Sequence, residues 1–577
     1  MTRLFNDPAD FADEVVEGFV AAHQRWVRRV PGGVVRNTAK VPGQVAVVVG
    51  GGSGHYPAFT GLVGQGLAHG AVSGNIFASP SAQQACSVAK AAETGAGVLL
   101  CFGNYAGDVL HFGQAAERLN QDGIRTRTFA VTDDVSSASR EESAKRRGVA
   151  GDLAVFKAAA AAAEAGLDLD EVYRVAERAN ERTRSFGVAF SGCTLPGASE
   201  PLFTVPEGRM AVGMGIHGEP GIGEDDVPTA DGLAELFVRT LLADLPPDIT
   251  DVRGQRAGVI LNGLGTVKHE ELFVVYRRVA QLLAEAGIEV VDPEVGEFVT
   301  SFDLAGASLT LFWLDEELEQ YWTAPADAPA FRKGAVTAAP PAAEDDNAAA
   351  AEATIPLGSA ESRHTARTVL AALEAVRKVI DGNADELGRI DAVAGDGDHG
   401  IGMQRGAVAA VDAAHEALRG GAGAGTLLTR AADAWADKAG GTSGALWGLL
   451  LRGVASTLGD EAKPTVQTVS DGVAAGLAGV LRVGGAEVGD KTMVDVLVPF
   501  ADALAHSVGE GQALAEGWGT AAAVADVAAQ ATADLVPRIG RARPLAERSV
   551  GTPDAGAISL ALIVGAVHGV LTESKGV

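Results

Sequence analysis

The sequence predicts two domains of different class: an α/β substrate-binding domain, then an all-α domain built as a helical barrel or bundle. Three observations predict this. Short β-branched runs alternate with helical stretches through the first half of the chain. The composition then breaks at residue 323. Beyond residue 362 strand signals vanish and helical periodicity alone remains. The expected domains are 1–322 and 362–577, with a flexible Ala/Pro/acidic linker over 323–361.

The totals agree with this division. A chain of 577 residues is too long for a single core. A formal net charge of −28 argues against a general binder of nucleic acid or of anionic membranes, while leaving room for a local cationic pocket. Cys86, Cys101 and Cys193 lack metal-ligand spacing and fit a reducing compartment. Residues 1–17 carry acids where a secretory signal needs a basic and then an apolar region. The apolar run 556–571 is short of a bilayer span and contains His568, so it reads as a buried helix. A soluble, cytoplasmic protein is expected.

Taken in order, residues 11–30 have the helical period, with Val15, Phe19, Ala22 and Trp26 on one face. Residues 44–49 form an apolar, valine-rich run that reads as a buried parallel strand. It enters Gly50-Gly51-Gly52-Ser53-Gly54-His55, where backbone amides can approach a ligand closely, although a plain tight turn explains it equally well. The spacing fits neither the dinucleotide fingerprint nor the P-loop. Strands follow at 97–101 and 126–131, a nearly pure alanine helix at 153–165, and a strand at 186–191. His217 has Gly215 before it and Gly218 after it, so its imidazole is accessible as a base, ligand or nucleophile, or is a satisfied structural residue. The alternation resumes with a strand at 258–261, a helix at 268–286 and a strand at 308–313. Together these predict a largely parallel sheet.

After the linker, helices are expected at 362–381, 406–418, 426–438, 443–458, 468–481, 494–506, 514–533 and 555–571. Their connections hold the chemistry. Asp391, Asp396 and Asp398 fall within eight residues, and residues 395–402 read as a tight turn. Three carboxylates in one small volume repel unless a cation lies between them, and oxygen-only ligands favour Mg²⁺ on phosphates. The alternative is a solvated acidic turn. Thr442 and Ser443 stand where a helix begins, as a phosphate cradle or as an unliganded cap.

Taken together, these stretches resemble the single-chain, ATP-using dihydroxyacetone kinases, over nearly the whole chain. Residues 50–55, 74–81, 104–108 and 213–221 resemble the substrate domain of that family; residues 391–402, 440–446, 489–495 and 552–557 resemble its nucleotide domain. The resemblance implies that His217 holds the ketone as a hemiaminal and that Asp108 accepts the hydroxyl proton, with His55 assisting. Gly52, Ser53, Gly54, His55, Gly103 and Asp108 would line the sugar site. It implies that Asp391, Asp396 and Asp398 hold Mg²⁺ on ATP. His399, Gly400, Ile401, Gly402, Thr442, Ser443, Gly484, Thr492, Met493, Asp554, Ala555 and Gly556 would surround the nucleotide. A domain-swapped homodimer is implied as well.

The sequence departs from that family at three places. Tyr56 stands where Glu is usual, Gly103 where Lys contacts substrate, and Ala555 where the nucleotide cap has Pro. The loss of charge and bulk beside the sugar site brings a four-carbon ketose such as erythrulose forward beside dihydroxyacetone. Two other readings remain: a hydroxyketone-binding regulatory module, and a kinase that draws on a phosphorylated carrier protein through bound ADP. An additional nucleotide lyase activity cannot be read from the sequence.

Overall fold

The structure is a computed structural model that describes residues 4–342, 355–395, 397–539 and 546–573. The chain divides into two compact units, Met1–Ala351 and Glu352–Val577.

The first unit opens with helix α1 (Phe11–His23), which buries Ala12, Val16 and Phe19 and leaves Val15 exposed. The helix is shorter than its expected span to residue 30. Val27–Val30 instead forms strand β1, pairing antiparallel with β2 (Gly33–Arg36). The β-branched residues there gain more from a ladder than from the last turns of a helix.

The first sheet adds β3 (Ala46–Ser53), β4 (Gly70–Ile76), β5 (Val98–Gly103) and β6 (Thr126–Val131), in the order β1-β2-β4-β3-β5-β6. The four strands from β4 to β6 are parallel, and the valines 47–49 at their centre are fully buried. Helices α2 (Ala82–Ala92) and α3 (Ala106–Gln121) cover part of this sheet. Helix α4 (Asp152–Glu164) is buried from Asp152 to Ala163 on every side. Its alanines let the neighbouring elements approach closely, as the sequence suggests. Helix α5 (Leu169–Glu181) packs beside it.

The second sheet differs from the expectation of a largely parallel one. It contains β7 (Thr183–Ala189), β8 (Arg209–Val212), β9 (Gly223–Asp226) and β10 (Arg256–Gly263), with β11 (Glu289–Val290), β12 (Glu294–Gly296) and β13 (Gly306–Leu314). The central pairs β10–β13 and β13–β7 are antiparallel, as are β7–β8 and β8–β9; only β11 and β12 lie parallel to β10. Alternating strands and helices do not fix direction when a chain returns through hairpins. Helices α6 (Ala230–Ala243) and α7 (His269–Glu285) bury their apolar faces on this sheet.

Helix α8 (Glu316–Thr323) closes the unit, followed by the short pair β14 (Ala326–Asp327) and β15 (Arg332–Lys333). Both lie within the expected linker. Pro341 also bridges to Thr38, so this segment is part of the first unit as far as the described residues reach. The stretch 343–354 of that linker lies outside the described residues.

The second unit is helical throughout its described residues. It consists of α9 (Ala360–Asp381), α10 (Ala384–Asp391), α11 (His399–Arg419), α12 (Ala424–Ala439) and α13 (Gly441–Leu458), then α14 (Val466–Gly484), α15 (Val494–Gly509), α16 (Leu514–Ala531), α17 (Ala546–Ser549) and α18 (Ala555–Glu573). The tight turn expected through residue 402 ends sooner, because α11 already begins at His399. Gly400 belongs to that helix for a packing reason: a Cβ there would lie 1.9 Å from the Ala384 carbonyl oxygen. Helix α18 is apolar and long enough, by length and composition, to cross a bilayer. Here it packs against α9 and α16 and buries Leu560, Ile563 and Val564.

Candidate active site

Three chain segments of the first unit meet at the carboxyl ends of β3 and β5. After β3 the chain turns through Gly54, at φ +105°, where a side chain would also strike the Phe302 ring. That turn delivers His55, which is 2% exposed. The His55 Nδ1–H donates to the Thr300 carbonyl at 2.8 Å, which leaves a lone pair on Nε2. Burial, reinforced by the neighbouring His217, pushes the pKa of this ring down to about 3, so it stays neutral. Beside it the Ser53 hydroxyl donates to the Gly74 carbonyl at 2.6 Å, and Gly52 packs against the backbone of residues 77 and 78.

His217 comes from the loop between β8 and β9. Its Nδ1 lies 2.9 Å from Glu219 Oε1, and its backbone N–H donates to Glu219 Oε2 at 3.0 Å. Burial would raise the Glu219 pKa, but His217 and then Arg147 outweigh it and hold the carboxyl well below the usual range. The carboxylate therefore accepts the Nδ1–H hydrogen bond and turns Nε2 toward His55, 3.0 Å away. With a proton on Nδ1 of each ring, both Nε2 atoms would be bare. The two Nε2 atoms thus face each other across the site.

Asp108 lies in the first turn of α3 and is buried. Its Oδ1 has no hydrogen-bond partner. Burial pushes its pKa up to about 7, against the opposing hydrogen bond from Ser79 and the charge of His217. A carboxylate poised near neutrality suits a general base. A base acts when ionised, and a raised pKa keeps it protonated in acid. We therefore expect kcat/KM to fall about tenfold per unit below about pH 7 and to level off above it. A pH–rate profile checks this; a flat profile between pH 5 and 7 contradicts it.

The structure brings His55 and His217 into contact and sets Asp108 within electrostatic reach. Gly103 ends β5, close to the Tyr105 ring, which itself packs edge-on against His217 at 4.7 Å. Tyr56, expected beside the sugar site, is 45% exposed and its ring packs edge-on against Phe19 of α1. Sequence reasoning missed Glu219, Arg147, Tyr105 and Thr300 as partners. Glu219 had a signal, two residues beyond His217 on an open glycine loop.

In the second unit, the starts of α11, α13, α15 and α18 gather at one end. His399 donates or accepts at Ser559 Oγ, 3.1 Å away, and its Nδ1 lies 3.5 Å from Ser443 Oγ. Thr442 lies beside Ser443 in the first turn of α13. Met493 packs against Gly556, and Gly484 lies against Leu446 of α13. Asp495 accepts from the Thr492 N–H at 2.7 Å, and Asp554 caps α18 by accepting from the Ala557 N–H at 2.8 Å. Ile401, in the first turn of α11, is 52% exposed. Helix amino ends gathered in this way can receive an anion.

Acidic side chains lie at the same end. Burial raises Asp398 to about 6, and Asp391 adds to that rise. Burial raises Asp554 to about 7, with Asp495 and Asp391 contributing. Mutually repelling oxygen donors gathered in this way fit a hard divalent cation. Among the described residues no three such ligands converge into a closed set, and Asp396, the third expected ligand, lies outside them. An open oxygen set of this kind suits an ion that keeps waters and shares phosphate oxygens.

Fold and sites together define a two-part protein: an α/β unit in which two histidines meet beside a buried carboxyl, and a helical unit in which helix starts and acidic side chains gather at one end. The comparisons agree. Residues 17–330 match the Dak1 domain and residues 393–569 the DAK2 domain. The chain belongs to the single-chain dihydroxyacetone kinase family. It is 65% identical to the L-erythrulose kinase of Pectobacterium atrosepticum over 99% of this chain and 97% of that one. It is 55% identical to the D-erythrulose kinase of Mycolicibacterium smegmatis over 100% of this chain and 99% of that one. The crystal structure of the dihydroxyacetone kinase from C. freundii in complex with AMP-PNP and Mg²⁺ is similar, with a TM-score of 0.52 and 29% identity. That likeness covers 98% of this chain and 99% of the other.

Proposed function

We propose that the protein is an ATP-dependent kinase that transfers the γ-phosphate of Mg-ATP to a hydroxyl of a small ketose, dihydroxyacetone or a four-carbon ketose such as erythrulose. One observation carries this reading: an imidazole held by a buried carboxylate, Glu219, beside a buried acid, Asp108, with an unpartnered oxygen. A polyol such as glycerol offers that imidazole nothing to attack, whereas a ketone does.

His217 Nε2 would add to the carbonyl carbon; the π pair moves to oxygen, which takes up one proton as the ring gives one up, leaving a neutral hemiaminal. The ketose is then fixed while Asp108 takes the proton of its reacting hydroxyl and that oxygen attacks the γ-phosphorus. Such a reaction depends on alignment more than on covalent chemistry. His55 assists by keeping a neutral nitrogen against His217. In the helical unit, Thr442, Ser443, Thr492 and the first turns of α11 and α18 would receive the nucleotide. Asp391, Asp396 and Asp398 would hold Mg²⁺, which neutralises phosphate charge when bound.

The reading requires the nucleotide end of a helical unit to face a ketose site. A homodimer that exchanges its helical units would meet this need; a mass of two chains by light scattering is the expected result, and a mass of one chain would count against it. A cytoplasmic location accords with three cysteines that form no disulfide.

The test is an ADP-release screen over dihydroxyacetone, glyceraldehyde, both erythruloses and larger ketoses, with and without Mg²⁺. Phosphorylated product that needs Mg²⁺ is the expected result. Tight ketone binding without turnover would instead indicate a regulatory module. Bound ADP that never exchanges would indicate a carrier-protein donor.

A further inference from the structure

Gly103 lets its neighbours close in around the end of β5. A Cβ there would lie 3.1 Å from Tyr105 Cε2, 3.2 Å from the Gly148 carbonyl oxygen and 3.4 Å from Asp152 Oδ2. Asp152, the first residue of α4, is 2% exposed. Three buried atoms in this neighbourhood have no hydrogen-bond partner: Asp152 Oδ1, Tyr105 Oη and Asp108 Oδ1. Buried polar atoms are ordinarily satisfied, so three together mark a place built for a hydroxylated guest. One of them belongs to the proposed catalytic base, and Tyr105 lies against the proposed nucleophile.

Asp152 has a packing alternative, since a carboxylate at the start of a helix stabilises it. That explanation fails on electrostatics. Burial, then the neighbouring acids Asp133 and Asp108, raise the Asp152 pKa well above the ordinary value, which favours its uncharged form. Asp133 already satisfies the amides of Val149 and Gly151 at this helix start, at 2.8 Å each. A neutral carboxyl can donate as well as accept, as a sugar hydroxyl requires.

We propose that Asp152, with Tyr105, forms the subsite for the additional hydroxymethyl group that distinguishes a four-carbon ketose from dihydroxyacetone, and that Asp152 sets the preference between them. The proposal rests on the ketose-kinase reading above. Asp152 acts on substrate binding, whereas Asp108 and His217 act on the reacting atoms.

The experiment compares kcat/KM for both erythruloses and for dihydroxyacetone in the full chain carrying Asp152→Ala, Asp152→Asn, Tyr105→Phe or Gly103→Lys. In Asp152→Ala the ratio for the preferred erythrulose over dihydroxyacetone is expected to fall at least about tenfold, mainly through KM. Asp152→Asn should recover part of the loss, because an amide also donates and accepts. Gly103→Lys would press a side chain against Tyr105 and Asp152 and should lower the ratio as well. Should Asp152→Ala fail to fold, Asp152→Asn and the nearly isosteric Tyr105→Phe carry the test, each lowering the ratio about threefold or more. Ratios unchanged across the folded variants overturn the subsite, even where absolute rates fall. So does a wild-type protein that handles erythrulose no better than dihydroxyacetone. A wild-type protein that phosphorylates neither ketose removes the underlying reading instead.

Discussion

Replacing His217 by alanine is expected to lower kcat/KM for the ketose on the order of 10³-fold or more, with nucleotide affinity unchanged. The size follows from what the side chain is proposed to supply. Without a bond to the carbonyl, a small sugar with few contacts is free to turn, and near-attack geometry is lost. The fold should tolerate the change. The His217 side chain is one-fifth exposed, in a loop, and supports no core cluster. Water can satisfy the His55 nitrogen that loses its partner. The check is a rate measurement alongside nucleotide titration and a melting curve. Retained ketose turnover, within tenfold of wild type, would remove His217 from the chemistry.

Asp108→Asn should be the next most damaging substitution, costing roughly 10²- to 10⁴-fold in kcat. The amide has nearly the same shape and keeps a contact for Ser79, so ketose affinity should change little. What disappears is the group that receives the hydroxyl proton. The acid limb of the pH–rate profile near pH 7 should vanish with it, because the titrating group is gone. An Asn variant that keeps both the rate and the acid limb would assign the base elsewhere.

Much of this architecture was legible in the sequence, and the misreadings have physical causes. The strand expected at 126–131 has the same bounds in the structure, since buried parallel strands require a continuous β-branched run. Residues 27–30 read as the end of a helix because Trp26 continues the apolar period. Their pairing with β2 depends on a distant hairpin geometry that period alone cannot show. Gly400 and Gly402 read as a turn by local propensity, yet they lie in a helix, where Gly400 allows close approach to Ala384.

The site divides in the same way. Residues on glycine-rich loops, His55 and His217, announced themselves. Tyr105, Arg147 and Asp152 come from separate elements, and their importance lies in how tertiary packing gathers them around one histidine. Nothing in the immediate sequence of Asp152 signals that its carboxyl is left unpaired beside Gly103.

The two imidazole nitrogens that face each other at 3.0 Å carry a consequence for how a ketone is captured. An attacked carbonyl becomes an alkoxide and needs a hydrogen at once, while the attacking ring must give one up. On the proposed mechanism His55 stands where it can pass that hydrogen on without its reaching bulk water. Capture would then change the net ionisation of the pocket by nothing, leaving Asp108 as the residue through which acidity of the medium governs turnover.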